Sequence, residues 1–193
     1  MPSFKNIILI LVAISSTTLA GVMNLQAREV SDTTSSAKPV ACGSTTFVFT
    51  GLPPNHPLVT KEGFDPAVID KALHADQDAM TAAGYNVRIV LFGPEEPVST
   101  LDYHMRDIQN WDGTGVGYGV RVAHDDQMTI RFEDIISLYR QRAAHSPIIF
   151  NSSPTSGFLP AIQRRFPIVA SCANTPGKNL GYRVICSKDV CKN

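Results

Sequence analysis

The chain has 193 residues, 44% hydrophobic and 18% charged. That length suits one globular domain with an appendage, and the apolar content excludes general disorder. Basic and acidic residues number 17 each, so the net charge is zero and no overall basic field draws in nucleic acid.

Residues 1–20 read as a signal peptide. Lys5 precedes the apolar run Ile7 to Ile14, small and hydroxylated residues follow, and Thr18 and Ala20 fit the −3 and −1 positions of a signal peptidase site. The alternative is an uncleaved anchor extending to Met23. Ser15, Ser16, Thr17 and Thr18 dilute that stretch below a span of roughly 20 apolar residues. The expectation is therefore a secreted or extracytoplasmic protein with no membrane contact after cleavage. Residues 21–44 read as a flexible linker, because the stretch from Arg28 is rich in Ser, Thr and Ala and has no apolar period.

An α/β domain is expected over residues 45–167. Thr46 to Thr50 is β-branched and aromatic, which predicts a strand, and Gly51 to Pro57 forbids regular structure. Asp65-Pro66 opens a helix with an N-cap acceptor and a first-turn proline, and Gly84 closes it. Ile69, Leu73 or Ala72, Met80 and Ala83 share its apolar face. Asn86 to Phe92 is a second strand. Ser99 or Thr100 caps a second helix bearing Leu101, Met105 and Ile108. A third strand is expected in the glycine run Trp111 to Arg121, WDGTGVGYGVR. A third helix follows from about Met128 to Ala144, its buried side formed by Phe132, Ile135, Ile136 and Tyr139. Pro147 to Asn151 is a fourth strand, and Ala161 to Phe166 is the core of a fourth helix that Pro167 ends.

Strands separated by helices are parallel, because each crossover returns the chain to the same end. Right-handed crossovers place helices on both faces, giving a three-layer sandwich around a four-stranded sheet of flavodoxin-like order 2-1-3-4. Residues 168–193 fall outside this repeat, as a cysteine-bearing extension in which Gly181 to Cys186 suits an extra edge strand. The four cysteines, Cys42, Cys172, Cys186 and Cys191, allow three disulfide pairings. Position favours Cys42–Cys172 with Cys186–Cys191, because Cys42 and Cys172 both fall at the amino end of the sheet. Their spacing is not that of a zinc site, and no metal site is expected.

The glycine run has two readings. A dinucleotide fingerprint is G-x-G-x-x-G between the first strand and its helix; here the glycines are spaced by two, at the third strand. In a strand, Gly113, Gly115 and Gly117 leave one face bare, so a neighbour can approach closely. The second half lies where the third strand should end, beside the crevice of a 2-1-3-4 sheet. There Gly117 and Gly119 admit a ligand, and Arg121 offers a fork for carboxylate or phosphate; otherwise Arg121 forms a surface salt bridge.

Three segments carry a family resemblance: ALHADQDAMTAAGYNV (Ala72 to Val87), GYGVR (Gly117 to Arg121) and FEDIISLYRQRAAHSPIIFNSSP (Phe132 to Pro154). With them the chain resembles a functionally uncharacterised family of small flavodoxin- or Rossmann-like α/β hypothetical proteins. The resemblance spans about Thr45 to Phe166. It implies the parallel α/β fold and supplies no reaction. Extra glycines in the third strand, the signal peptide and the cysteine-bearing tail depart from the family pattern.

Asn151 to Gly157, NSSPTSG, follows the fourth strand. Ser153 or Ser156 is expected to cap the next helix, and Asn151-Ser152-Ser153 is also a glycosylation sequon. Asp76 is expected to meet an arginine or cap a neighbouring backbone. Asp125 and Asp126 are expected to begin the third helix. The candidate ligand-binding set is Thr50, Gly51, Gly117, Gly119, Arg121, Asn151 and Ser152, around a small anionic or polar molecule at the carboxyl end of the sheet. No cofactor is expected, because there is no phosphate loop after the first strand for FMN and no G-x-x-x-x-G-K-[ST]. The rival is a hydrolase in the same crevice, with Ser152 or Thr50 as nucleophile and His56 or His124 as base, although there is no G-x-S-x-G. A third possibility is a secreted interaction protein without a ligand site. Catalytic residues and oligomeric state are left open.

Overall fold

The computed structural model describes residues 37–191. The expected signal peptide and most of the expected linker lie outside the described residues. The elements run β1 (Thr46–Gly51), α1 (Pro57–Lys61), α2 (Pro66–Ala82), β2 (Asn86–Phe92), α3 (Ser99–Met105), β3 (Gly113–Val116), α4 (Tyr118–Val122), α5 (Asp126–Arg142), β4 (Ile148–Phe150), α6 (Leu159–Arg165) and β5 (Asn179–Ile185).

The strands form one parallel sheet in the order β4-β3-β1-β2-β5. It has five strands, not the expected four. The fifth comes from the C-terminal stretch and lies along β2, covering an edge that would otherwise present unpaired backbone groups. Asn86 couples this strand to the start of the sheet. Its Nδ2 donates to Gly43 O at 2.9 Å, and its Oδ1 accepts from Lys178 N at 2.8 Å. Gln77 on α2 donates to Asn179 Oδ1 and to Gly181 O.

Strands buried on both faces read as nearly continuous apolar runs, and β1 and β2 do. Val48, Val90 and Phe92 pack with Leu101 and Met105 of α3 and Ile135 and Tyr139 of α5. The alternate residues Phe47, Phe49, Val87, Ile89 and Leu91 pack with Met80 of α2 and Ile162 of α6. Arg131 lies among the buried residues of α5; its guanidinium sits 5.3 Å from the Phe92 ring centroid and donates to Pro94 O and Glu96 O, fastening the loop after β2.

Helix ends follow sequence chemistry where a side chain can reach. Asp65 caps α2 through Ala67 N, with Pro66 in the first turn, and Gly84 follows the helix at φ +99°. Asp125 caps α5 through Gln127 N. At α3 the expected cap is displaced: Val98 is the N-cap, and no side chain bonds there. Two five-residue helices were not expected. α1 begins at Pro57, capped by the His56 imidazole, and α4 begins immediately after Gly117.

Disulfides join Cys42 to Cys172 and Cys186 to Cys191. They accord with an oxidising compartment. No helix among the described residues is long and apolar enough to cross a membrane.

Candidate functional site

The glycine run divides at Val116. Gly113 and Gly115 lie in β3, and their missing side chains make room for β1. A Cβ on Gly113 would fall 2.8 Å from the Phe47 ring, and one on Gly115 would fall 2.4 Å from the Phe49 ring and 2.9 Å from Ile149 O. The bare face of the strand thus receives two phenylalanine rings. Beyond Val116 the chain leaves the sheet. Gly117 N donates to Thr50 O at 2.7 Å, and α4 turns away with Gly119 and Arg121 on it.

At the carboxyl tips of β1, β3 and β4 the chain encloses a cavity of about 70 Å³. Thr50, Gly51, Gly117, Gly119 and Asn151 line it, together with Tyr118 and Asp76. Most of the wall is apolar, with Val59 of α1, Ile69 and Leu73 of α2, and Phe49 and Phe158 among its members. Of the seven candidate residues, the fold brings five to this cavity. Arg121 and Ser152 are not among its lining residues.

Arg121 turns to the wall instead. Its guanidinium lies 5.6 Å from the Tyr118 ring centroid and 5.1 Å from that of Phe150, and Nη2 donates to Asn151 O. Nε is buried without a hydrogen-bond partner among the described residues. Burial holds this guanidinium below its usual pKa. Neither the strand-end fork nor the surface salt bridge of the sequence reading describes it: α4 carries Arg121 past the strand tip, where it straps β3's exit to β4. Ser152 is exposed, and its hydroxyl donates to Ser156 Oγ at 3.2 Å.

Asn151 and Asp76 bring side-chain oxygens to the lining. Asn151 is buried, Nδ2 donates to Ser153 O at 2.7 Å, and Oδ1 has no partner among the described residues. Asp76 accepts from Phe158 N at 2.7 Å and from Leu159 N at 3.4 Å, and so caps the start of α6. That cap supplants the expected serine cap; Ser156 Oγ instead accepts from Ser152 N and Ser153 N within the loop. Burial raises the Asp76 carboxyl above the ordinary range, against the lowering effect of those two N–H groups. Gly157 is required beside it: φ is +65°, and a Cβ would lie 2.2 Å from Asp76 Oδ1. The sequon asparagine is inaccessible, since its side-chain nitrogen is buried and engaged.

The nucleophiles and bases of the hydrolase reading are separately occupied. Thr50 Oγ1 donates to Val90 O at 2.7 Å. His56 is buried, with Nδ1 accepting from Leu58 N at 3.2 Å, which leaves Nε2–H to donate to Glu95 at 3.1 Å. His124 is exposed beside Glu62. No group of three or more potential metal-ligating side chains occurs among the described residues. Asp76 is the residue that the candidate set left out. Its place on α2's inner face, one turn from Leu73 and Met80, was the available signal. The chain matches no family model, no curated protein and no solved structure.

Proposed function

We propose that this chain is an exported, flavodoxin-like three-layer domain that binds a small, largely apolar molecule bearing a hydrogen-bond donor. The cavity at the carboxyl end of the sheet is the binding site. Its apolar wall supplies affinity through burial, as in most small-molecule sites, and a few polar atoms set orientation. The choice of ligand is carried by the side-chain acceptors among the lining residues: Asn151, whose buried Oδ1 has no donor among the described residues, and the Asp76 carboxyl. Leaving Asn151 Oδ1 unpaired costs about 1 to 3 kcal/mol, which a ligand N–H or O–H would recover once the side chain turns toward the cavity. The nearby Asp76 carboxylate points the same way, since it repels an anion and attracts a cationic donor. Of the two ligand classes that the sequence suggested, polar is retained and anionic is set aside for this cavity. The cysteine-linked frame and the N-terminal apolar segment support export.

The test pairs n-butylamine with butyrate, two probes of similar size and opposite charge. Amide resonances of Gly117 and Gly119 report occupancy in labelled full-length protein. Butylamine should shift them saturably, and Gly119→Leu, which adds bulk at a lining position, should abolish the Gly117 shift with the remaining spectrum intact. Saturable shifts from butyrate but not butylamine, or an unaltered response in Gly119→Leu, would overturn the proposal.

A further inference from the structure

The elements far from the cavity create a second cleft. It lies between the C-terminal end of α3 and the edge strand β5, with a volume of about 390 Å³, and is lined by Arg88, Tyr103, His104, Arg106, Asp107, Leu180 and Arg183. Three arginines share this space with one carboxylate.

Their charges are not equally available. Arg88 of β2 is committed: it holds Asp107 through two bonds of 2.5 and 2.9 Å, donates to His104 O and Leu180 O, and lies 5.6 Å from the Trp111 ring centroid. That pair is neutral, and it fixes the floor of the cleft. Among the described residues Arg106 reaches one carboxylate, Asp102, at 3.4 Å. Asp102 is already taken by Arg142 at 2.5 and 2.9 Å. Arg183 is exposed on β5 and makes no hydrogen bond or ion pair among the described residues. Beyond the Arg88–Asp107 pair, the cleft lining therefore carries Arg183, which has no carboxylate partner among the described residues, and Arg106, which shares Asp102 with Arg142.

His104 is held below its usual pKa by burial and by the charges of Arg183 and Arg88, with only Asp107 opposing. Tyr103, largely exposed, supports Arg106, whose guanidinium lies 5.1 Å from the ring centroid. Planar guanidinium forks match the oxygens of tetrahedral oxyanions, and two of them match a dianion in charge.

We infer that the cleft between α3 and β5 is an oxyanion site in which Arg106 and Arg183 hold a phosphate- or sulfate-type dianion above the Arg88–Asp107 pair. This site is independent of the apolar cavity. Free anions and ester groups on a larger molecule share this chemistry.

The His104 imidazole resonance, assigned with a His104→Gln variant, tests the inference in the full-length chain. Inorganic phosphate, sulfate and acetate are titrated separately at constant ionic strength set by sodium chloride, near pH 7.5. Phosphate and sulfate should each shift His104 saturably and raise its pKa, because the bound dianion offsets Arg183 and Arg88. Acetate should bind at least tenfold more weakly. Arg183→Gln and Arg106→Gln should each weaken phosphate about tenfold, while butylamine still shifts Gly117 and Gly119. Glucose 6-phosphate matching or exceeding inorganic phosphate would show that the cleft admits an ester. The inference fails if phosphate leaves the His104 titration unchanged, if acetate equals phosphate, or if neither arginine variant alters the response.

Discussion

Adding one methyl group to each half of the glycine run should have opposite consequences. At Gly115 a Cβ meets the Phe49 ring at 2.4 Å and Ile149 O at 2.9 Å. The ring cannot swing aside freely, because it stacks on Phe158 with centroids 4.1 Å apart. The carbonyl belongs to β4, which is paired with β3. Overpacking of this kind costs about 1 to 3 kcal/mol, and a rigid backbone neighbour places Gly115→Ala at the upper end. The reduced freedom of the unfolded chain returns about 0.4 to 1 kcal/mol. The net loss is about 2 kcal/mol, or roughly 4 to 8 °C in Tm for a domain of this size.

Gly119 is the internal control. It lies in α4 without positive φ, and its Cβ would meet Leu52 Cδ1 at an ordinary 3.6 Å. Alanine gains up to about 1 kcal/mol of helix propensity there, so Gly119→Ala should leave Tm unchanged or raise it by a few degrees (~2 to 4 °C). Denaturant melts with disulfides intact, with m unchanged between variants, provide the stability comparison. Equal effects from the two alanines, or a Gly115→Ala protein as stable as the parent, would refute the placement of Gly115 against β1 and β4.

Three further outcomes follow from the same contacts. The two disulfides close loops of very different span, with sequence separations of 130 and 5; chain entropy assigns about 5 kcal/mol to Cys42–Cys172 and about 2 to Cys186–Cys191, so paired alanine replacements should differ in that order by denaturant midpoint. Tyr139 is fully buried, donates to Gly115 O at 3.0 Å, and has its phenol pKa pushed up by burial. Its unfolded form ionises near 10 while the folded form does not, so stability is intact below about pH 10 and falls by about 1.4 kcal/mol per pH unit above it; Tyr139→Phe should remove that part of the slope in alkaline melts. Asp76, raised by burial, favours its protonated form in the fold. Its contribution should grow as pH falls from the raised pKa toward about 3.9, and Asp76→Asn should lose this component in stability measured across mildly acidic pH.

The residues that announced the fold act locally or repeat a period. Asp65-Pro66 and Gly84 bounded α2 because cap chemistry needs only adjacent backbone. The short apolar runs Phe47 to Phe49 and Val87 to Phe92 marked strands whose neighbours were then constrained by crossover geometry. The bare face of Gly113 and Gly115 was legible for the same reason, although its occupants, Phe47 and Phe49, were not. The course of the chain after Val116 was not legible. Gly-Tyr-Gly-Val-Arg is equally compatible with a strand end and a single helical turn, and the bond from Gly117 N to Thr50 O, which ends the strand, spans 67 residues. β5 was suggested by its β-branched and aromatic content. Its place beside β2 depends on Asn86 and Gln77, whose amides carry no sequence pattern.

The fate of Arg121 bears on the donor-bearing ligand proposed for the cavity, since the sequence beside it contains a permanent cation. An arginine at a strand tip reaches a ligand only if its backbone stays at that tip. Here the chain turns into α4 at Gly117, and the side chain finds the carbonyl of Asn151 and two aromatic faces first. The same contact holds Asn151 in the wall while Asn151 Nδ2 is used on Ser153. Phe158 N and Leu159 N are spent on Asp76, and the Thr50 hydroxyl is spent on Val90. These donors at the carboxyl end of the sheet are thus absorbed in building the enclosure, while Arg121 Nε is left buried without a partner among the described residues. Asn151 Oδ1 is the acceptor left without a donor among the described residues, so the ligand polarity proposed for this cavity rests on what folding leaves unpaired rather than on which charged residue lies near in sequence.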